Sequence, residues 1–139
     1  MADSRNPAIA ALLLRVSLGT MFIAHALLKY FVFTLPGTAQ FFESLGLPGG
    51  LGYATFAAEL VGGVLLIAGV YIRVVSLVLV PILLGATWAH AGNGWLFTSP
   101  KGGWEYPAFW TVTLVVQGLL GEGAYALRPS SRSARLQAA

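Results

Sequence analysis

The sequence contains no cysteine. Disulfides, thiol redox chemistry and iron–sulfur ligation by this chain itself are therefore excluded, although the compartment is not decided. Charge is nearly as scarce. Lysine, arginine, aspartate and glutamate make up 9% of the 139 residues, against roughly 25% in an ordinary soluble domain. That leaves little for a separate soluble head. The small excess is basic, +3 in formal charge with an isoelectric point near 9.6. The basic residues stand at segment ends rather than in one patch, which argues against a nucleic-acid partner. No Ser/His/Asp set, phosphate loop or hydrolytic carboxylate pair occurs in a usable context. The glycines of LPGGLG lie between apolar segments, not after a strand, and so do not form a dinucleotide fingerprint. No internal repeat is visible.

What is present is apolar: 57% of residues, with a mean hydropathy of +0.76. This is a membrane composition, and the lipid bilayer is the first expected partner. One domain over residues 1–127 is expected, an all-α bundle of four transmembrane helices. The spans are placed at about 8–33, 53–71, 74–91 and 107–127, each long enough to cross a bilayer. Pro7 suits the first turn of the first helix. A cleaved signal peptide competes for that segment, because Ala24, His25 and Ala26 mimic a small-x-small site. The apolar run continues past it, so a retained helix is expected. In the first outer loop, TAQFFESLGL predicts a short interfacial helix dipping Phe41, Phe42 and Leu45 into the membrane. Pro81 should bend or locally break the third span.

Four spans put both termini on one side. That side carries Arg5, Arg73, Arg128, Arg132 and Arg135, with Arg15 within snorkelling reach, whereas Lys29 and Lys101 opposite are offset by Glu43 and Glu105. The positive-inside rule then makes both termini cytoplasmic, with residues 128–139 a basic cytoplasmic tail. Trp88, Trp95, Trp104 and Trp110 fall at outer segment ends or in the outer loop. They read as an aromatic belt, or alternatively as rings for stacking on a ligand.

Arg15, Phe22, His25 and Lys29 recur on one side of the first helix, and Glu59, Gly63, Leu66, Val70 and Arg73 make a similar stripe on the second. Gly62 and Gly63 allow a neighbouring helix close. By depth, His25, Lys29, Glu59 and His90 form an outer set, with Glu105 above it. Arg15, Arg73, Gln117 and Glu122 form an inner set, read as topology and structure, with Arg15 snorkelling or pairing with Glu122.

The outer set supports two readings. In one, Glu59 and Lys29 neutralise each other and pin the bundle, with His25 and His90 capped by backbone carbonyls. In the other, it is a pocket for a quinone head group: His25, Glu59 and His90 do the chemistry, while Lys29, Phe22, Trp88 and Glu105 line the ligand. Matched depth also admits His25 and His90 as axial ligands of a b-type haem, a weak signal that does not compete with quinone. Adding Glu59 gives a His₂-carboxylate set without i, i+3 or i, i+4 ligand spacing, and no metal is expected.

The stretches LLLRVSLGTMFIAHALLKYF, FFESLGLPG and AAELVGGVLLIAGVYIRVVS, together with His90, AGNGWLF and GGWEYP, resemble the DoxX family of small four-helix bacterial inner-membrane proteins. The resemblance runs from about Leu12 to Pro107. It falls on Arg15, Gly19, Phe22, His25, Lys29, Gly46, Leu47, Pro48, Glu59, Gly62, Gly63, Gly69, Arg73, His90, Glu105, Tyr106 and Pro107. Ala26 departs from it, standing where the family often has glycine. Glu122 stands where proline is common, and the usual acidic finish is missing.

The resemblance implies a bundle associated with redox chemistry, since related proteins include membrane subunits of thiosulfate:quinone oxidoreductase and scaffolds of oxidoreductase complexes. The expected function is a quinone-interacting subunit of a membrane oxidoreductase in the bacterial inner membrane. The alternative is a non-catalytic accessory or scaffold subunit docked on a larger complex. Other membrane subunits or further copies of this chain are the expected partners.

Overall fold

The computed structural model describes residues 5–129 of the 139. The expected residues Arg132 and Arg135, with most of the tail, lie outside the described residues. The described chain is helical, with no strand among the described residues. Its elements are α1 (Arg5–Phe31), α2 (Leu35–Ser44), α3 (Gly50–Ala68), α4 (Ile72–His90) and α5 (Glu105–Leu120), with a 3-10 turn over Ala91–Asn93. α1, α3 and the stretch Ile72–Asn93 are long and apolar enough to cross a membrane.

The helices pack in the cyclic order α1, α3, α4, α5. α1 packs against α3 and α5, α4 packs against the same two, and α1 and α4 stand on a diagonal, meeting only through the core side chains between them. The centre is filled by Leu18, Phe22, Leu66, Leu79, Leu83, Trp110 and Leu114. The outward faces are also apolar, with Leu13, Val61, Leu77, Val112 and Leu119 all exposed, as suits a chain surrounded by hydrocarbon rather than water.

Gly62 and Gly63 serve different neighbours. A Cβ on Gly63 would lie 2.8 Å from the Gly19 carbonyl of α1, and one on Gly19 would lie 2.6 Å from the Gly63 carbonyl. A Cβ on Gly62 would instead meet Leu79 of α4 at 2.8 Å. The absence of two neighbouring side chains thus brings α3 against both of its long partners.

Local chemistry sets the helix ends. Pro36 opens α2, where the Thr34 hydroxyl accepts from the Gly37 amide at 3.1 Å. Gly69, left-handed at φ 73°, ends α3: its own amide and that of Val70 donate to the Leu65 carbonyl. The break expected at Pro81 is not found, and α4 is continuous through it. The carbonyl left without a helical donor belongs to exposed Leu77, on the outward face.

The last helix differs most from expectation. The apolar run predicts a span over 107–127, yet α5 covers Glu105–Leu120, 16 residues or about 24 Å. Gly121 (φ 82°) and Gly123 (φ 71°) turn the chain back across the bundle end. The Ala124 amide donates to Ala8 and the Leu127 amide to Ala68, placing residues 121–128 beside the start of α1 and the end of α3. Arg128 does not begin a free tail, because its guanidinium lies 4.4 Å from the Tyr71 ring centroid and donates to the Tyr71 hydroxyl.

Candidate functional site

The polar residues separate into two clusters, one at each end of the bundle. The first surrounds Arg15, which is 1% exposed. It does not snorkel. Its Nε donates to the Glu122 carbonyl (2.8 Å), Nη1 to the carbonyls of Leu66 (3.2 Å) and Ile67, and Nη2 to that of Ala124 (2.7 Å). These carbonyls sit at the negative end of α3 and in the turn after α5, where a helix dipole favours a cation. Gly69 makes room for this arrangement, since a Cβ there would lie 3.0 Å from the Arg15 guanidinium carbon and 2.7 Å from Ala126. The guanidinium fastens the chain's return to α3.

The second cluster is built on α1, α3 and α5. Lys29 Nζ donates to Glu59 Oε2 at 2.7 Å, and Glu59 is 5% exposed. One face of α1 carries Lys29, His25 and fully buried Phe22 toward the interior. His25 is half-buried and within electrostatic reach of the Glu59 carboxylate. Its Nδ1–H donates to the Met21 carbonyl at 2.9 Å. Its ring lies 4.7 Å from Trp110 and 6.3 Å from Tyr106 between centroids, the latter nearly parallel at 24°. Trp110 in turn meets Phe22 at 4.6 Å.

Trp110 had been placed in the outer belt by its position in the sequence. In the structure it is 4% exposed and part of the core, and its Nε1 is buried without a hydrogen-bond partner. Its position near the start of α5, facing Phe22 and His25, makes the difference. Its place inside the apolar segment rather than in the loop is the signal the sequence offers.

His90 lies on α4, diagonal to α1. Its Nδ1–H donates to the Ala86 carbonyl at 2.8 Å, and Gly102 of the outer loop covers its ring, a Cβ there falling 3.5 Å from Cδ2. No hydrogen bond, ion pair or ring contact joins it to His25, Lys29 or Glu59 among the described residues. Trp88 points outward, 58% exposed. Glu105 secures the outer loop: its Oε1 accepts from the Phe97 amide at 3.0 Å, and its own amide donates to the Trp95 carbonyl. Trp95, Phe97, Glu105, Tyr106 and Phe109 line an open cleft of ≈ 360 Å³. Tyr106 thus belongs both to this cleft and to the His25 ring group. No three of His, Cys, Asp and Glu converge at metal-binding range among the described residues.

A family model named DoxX matches residues 10–92, more than half of the chain and the part that carries Arg15, His25, Lys29, Glu59 and His90. The chain belongs to the DoxX family. Its membrane character follows from that membership together with the three long apolar helices. Among curated proteins it is similar to "Putative oxidoreductase CatD" of Bacillus subtilis (strain 168), 44% identical over 78 residues. The alignment covers 56% of this chain and 57% of that relative, so the chain spans little more than half its length. No solved structure matches the chain. The DoxX match stops at the 3-10 turn, so Tyr106 and Trp110, which complete the aromatic wall, come from outside the matched region.

Proposed function

We propose that this DoxX protein is a quinone-interacting subunit of a membrane oxidoreductase. The observation that carries the reading is the His25 corner. There a half-buried imidazole with one nitrogen tied to Met21 stands against two aromatic rings, beside the Glu59–Lys29 pair. Apolar and aromatic walls with a few placed polar groups are what a small flat ligand needs. In this reading the His25 ring stands against one ring oxygen of the ligand, and His90 meets the other from the far side of the bundle. Glu59 relays a proton and Lys29 keeps that carboxylate balanced. Phe22 supports Trp110 from below, Glu105 holds the loop above, and Trp88 marks the interface. The Bacillus subtilis relative is named as an oxidoreductase, which is consistent with redox work.

The same proposal places the protein in the bacterial inner membrane. The fourth crossing is made by α5, shorter than the roughly 30 Å hydrocarbon core, with the fold-back after it closing that end of the bundle. The end bearing Arg5, Arg73 and Arg128 then faces the cytoplasm and the His25 end faces outward, with both termini inside.

Protein purified in mild detergent is expected to yield quinone on organic extraction, or to bind an added short-chain benzoquinone at micromolar levels. Protein that retains none and binds none sinks the reading.

The closed Lys29–Glu59 pair favours a second reading, an accessory or scaffold subunit docked on a larger membrane complex or on further copies of itself. Under it, Glu59→Gln disrupts assembly before turnover. Lost turnover in an intact assembly favours the first.

A further inference from the structure

Hydrogen-bond direction at the His25 corner is set by its partners. A carbonyl oxygen only accepts, so the 2.9 Å contact with Met21 puts the proton on Nδ1. In the neutral ring Nε2 is then an acceptor, and it has no hydrogen-bond partner among the described residues. Packed on that ring at 4.7 Å between centroids is Trp110. Its indole nitrogen can only donate, and it is buried with nothing to donate to. Two touching rings therefore present an unmatched acceptor and an unmatched donor, and a buried donor in that condition calls for a partner.

A hydroxyl group has what each lacks: an oxygen that accepts from an indole N–H and a hydrogen that goes to an unprotonated ring nitrogen. A quinone carbonyl answers only the tryptophan and sets its own lone pairs against that of Nε2. We propose that the His25–Trp110 corner binds the hydroxyl of a reduced, dihydroxylated ring, a quinol, in preference to the oxidised quinone. This rests on the quinone-site reading and adds to it the redox form that the site selects. The ≈ 360 Å³ cleft supplies the approach, within the size range of small-ligand pockets. Its wall residue Tyr106 is 5.8 Å from Trp110 and 6.3 Å from His25 between ring centroids. Tyr106 is thus the wall common to the cleft and to the His25–Trp110 corner, and a ring reaching the corner from the cleft must displace it.

The test is an anaerobic titration of the purified full-length protein, read by tryptophan fluorescence. A short-chain benzoquinone is compared with the same molecule reduced to its quinol. The quinol is expected to bind at least tenfold more tightly, equivalent to raising the bound couple's potential by about 30 mV. His25→Phe, which keeps a ring but removes the acceptor, is expected to bring the ratio to about one. Trp110→Phe is expected to weaken both forms, because both accept from the indole. Circular dichroism and gel filtration establish that each variant is folded. Equal binding of the two forms by the unaltered protein overturns the quinol preference and leaves the quinone-site reading standing. Binding of neither form overturns both. A tenfold preference that survives in folded His25→Phe, or unchanged affinities in folded Trp110→Phe, overturns the assignment to this corner.

Discussion

At one end of the bundle Arg15 donates to four backbone carbonyls drawn from α3 and the turn after α5. At the other end His25 uses one ring nitrogen on Met21, one turn below it on the same helix, and leaves the other without a partner. Both residues sit on the same face of α1. They differ in what their partners leave over. A fully buried cation with four of its five N–H donors engaged joins segments that are far apart in sequence and has little left to offer a ligand. A half-buried imidazole tied only to its own helix is oriented without being used up. Burial and charge alone would rank Arg15 as the more conspicuous site. Hydrogen-bond saturation ranks His25 above it.

The largest effect that could break this comparison is at Arg15. Arg15→Met strips a donor from each of four carbonyls, two of them at the α3 terminus, and is expected to cost about 3–5 kcal/mol. Arg15→Lys should recover only a minor part, because a single ammonium lacks the planar fork that reaches several carbonyls at once. Denaturation in mixed detergent micelles, followed by circular dichroism, measures both. A lysine variant as stable as the parent would show that charge, not the fork, holds the end together.

Next comes the ion pair at the opposite end. Glu59→Gln leaves the Lys29 ammonium in an apolar wall without its carboxylate, at an expected cost of about 2 kcal/mol. Replacing both residues with methionine should restore most of the loss, because a paired charge gains little over well-packed apolar groups. If the double variant is instead less stable than either single one, the pair is the fastener at this end, and the contrast with Arg15 weakens.

The contrast also shows how much the residues alone disclose. The shared face of Arg15, Phe22, His25 and Lys29 follows from helical periodicity, and Lys29 meeting Glu59 follows from depth along two antiparallel helices. Both are local regularities. The acceptors of Arg15 are not of that kind. They belong to the backbone and carry no side-chain signature, and two of them, Glu122 and Ala124, reach Arg15 only because Gly121 and Gly123 reverse the chain more than a hundred residues later. The run GEGAYAL is apolar enough to read as the end of a span, and nothing in its hydropathy marks the fold-back. Trp110 was misplaced for a related reason. Its distance from the loop was visible, but whether it faced lipid or Phe22 depended on the rotation of α5 against α1.

A smaller effect is expected midway between the ends. Gly63→Ala places a methyl 2.8 Å from the Gly19 carbonyl, where backbone must yield, at a cost of about 1–2 kcal/mol. Gly85 has nothing within 4 Å of a Cβ, and Gly85→Ala should leave stability unchanged or slightly raised. Equal behaviour of the two would mean that α1 and α3 do not meet at these glycines. The two ends would then not be held in a common register.

The smallest effect involves no change in stability, yet it bears most directly on the difference between the ends. Both histidines donate through Nδ1 to the carbonyl four residues earlier, Met21 for His25 and Ala86 for His90. Nitrogen-15 spectra of histidine-labelled protein, taken where the rings are neutral, should therefore show two rings protonated at Nδ1, with Nε2 resonances in the range of an unprotonated ring nitrogen. That tautomer is the less common one for a free imidazole, so the outcome is not a default. It follows from a backbone carbonyl acting as acceptor, the same kind of group that holds Arg15, applied here to only one of two nitrogens. A His25 spectrum with the proton on Nε2 would mean that the ring has turned away from Met21 and offers a donor to the cleft. The corner would then match a carbonyl oxygen rather than a hydroxyl.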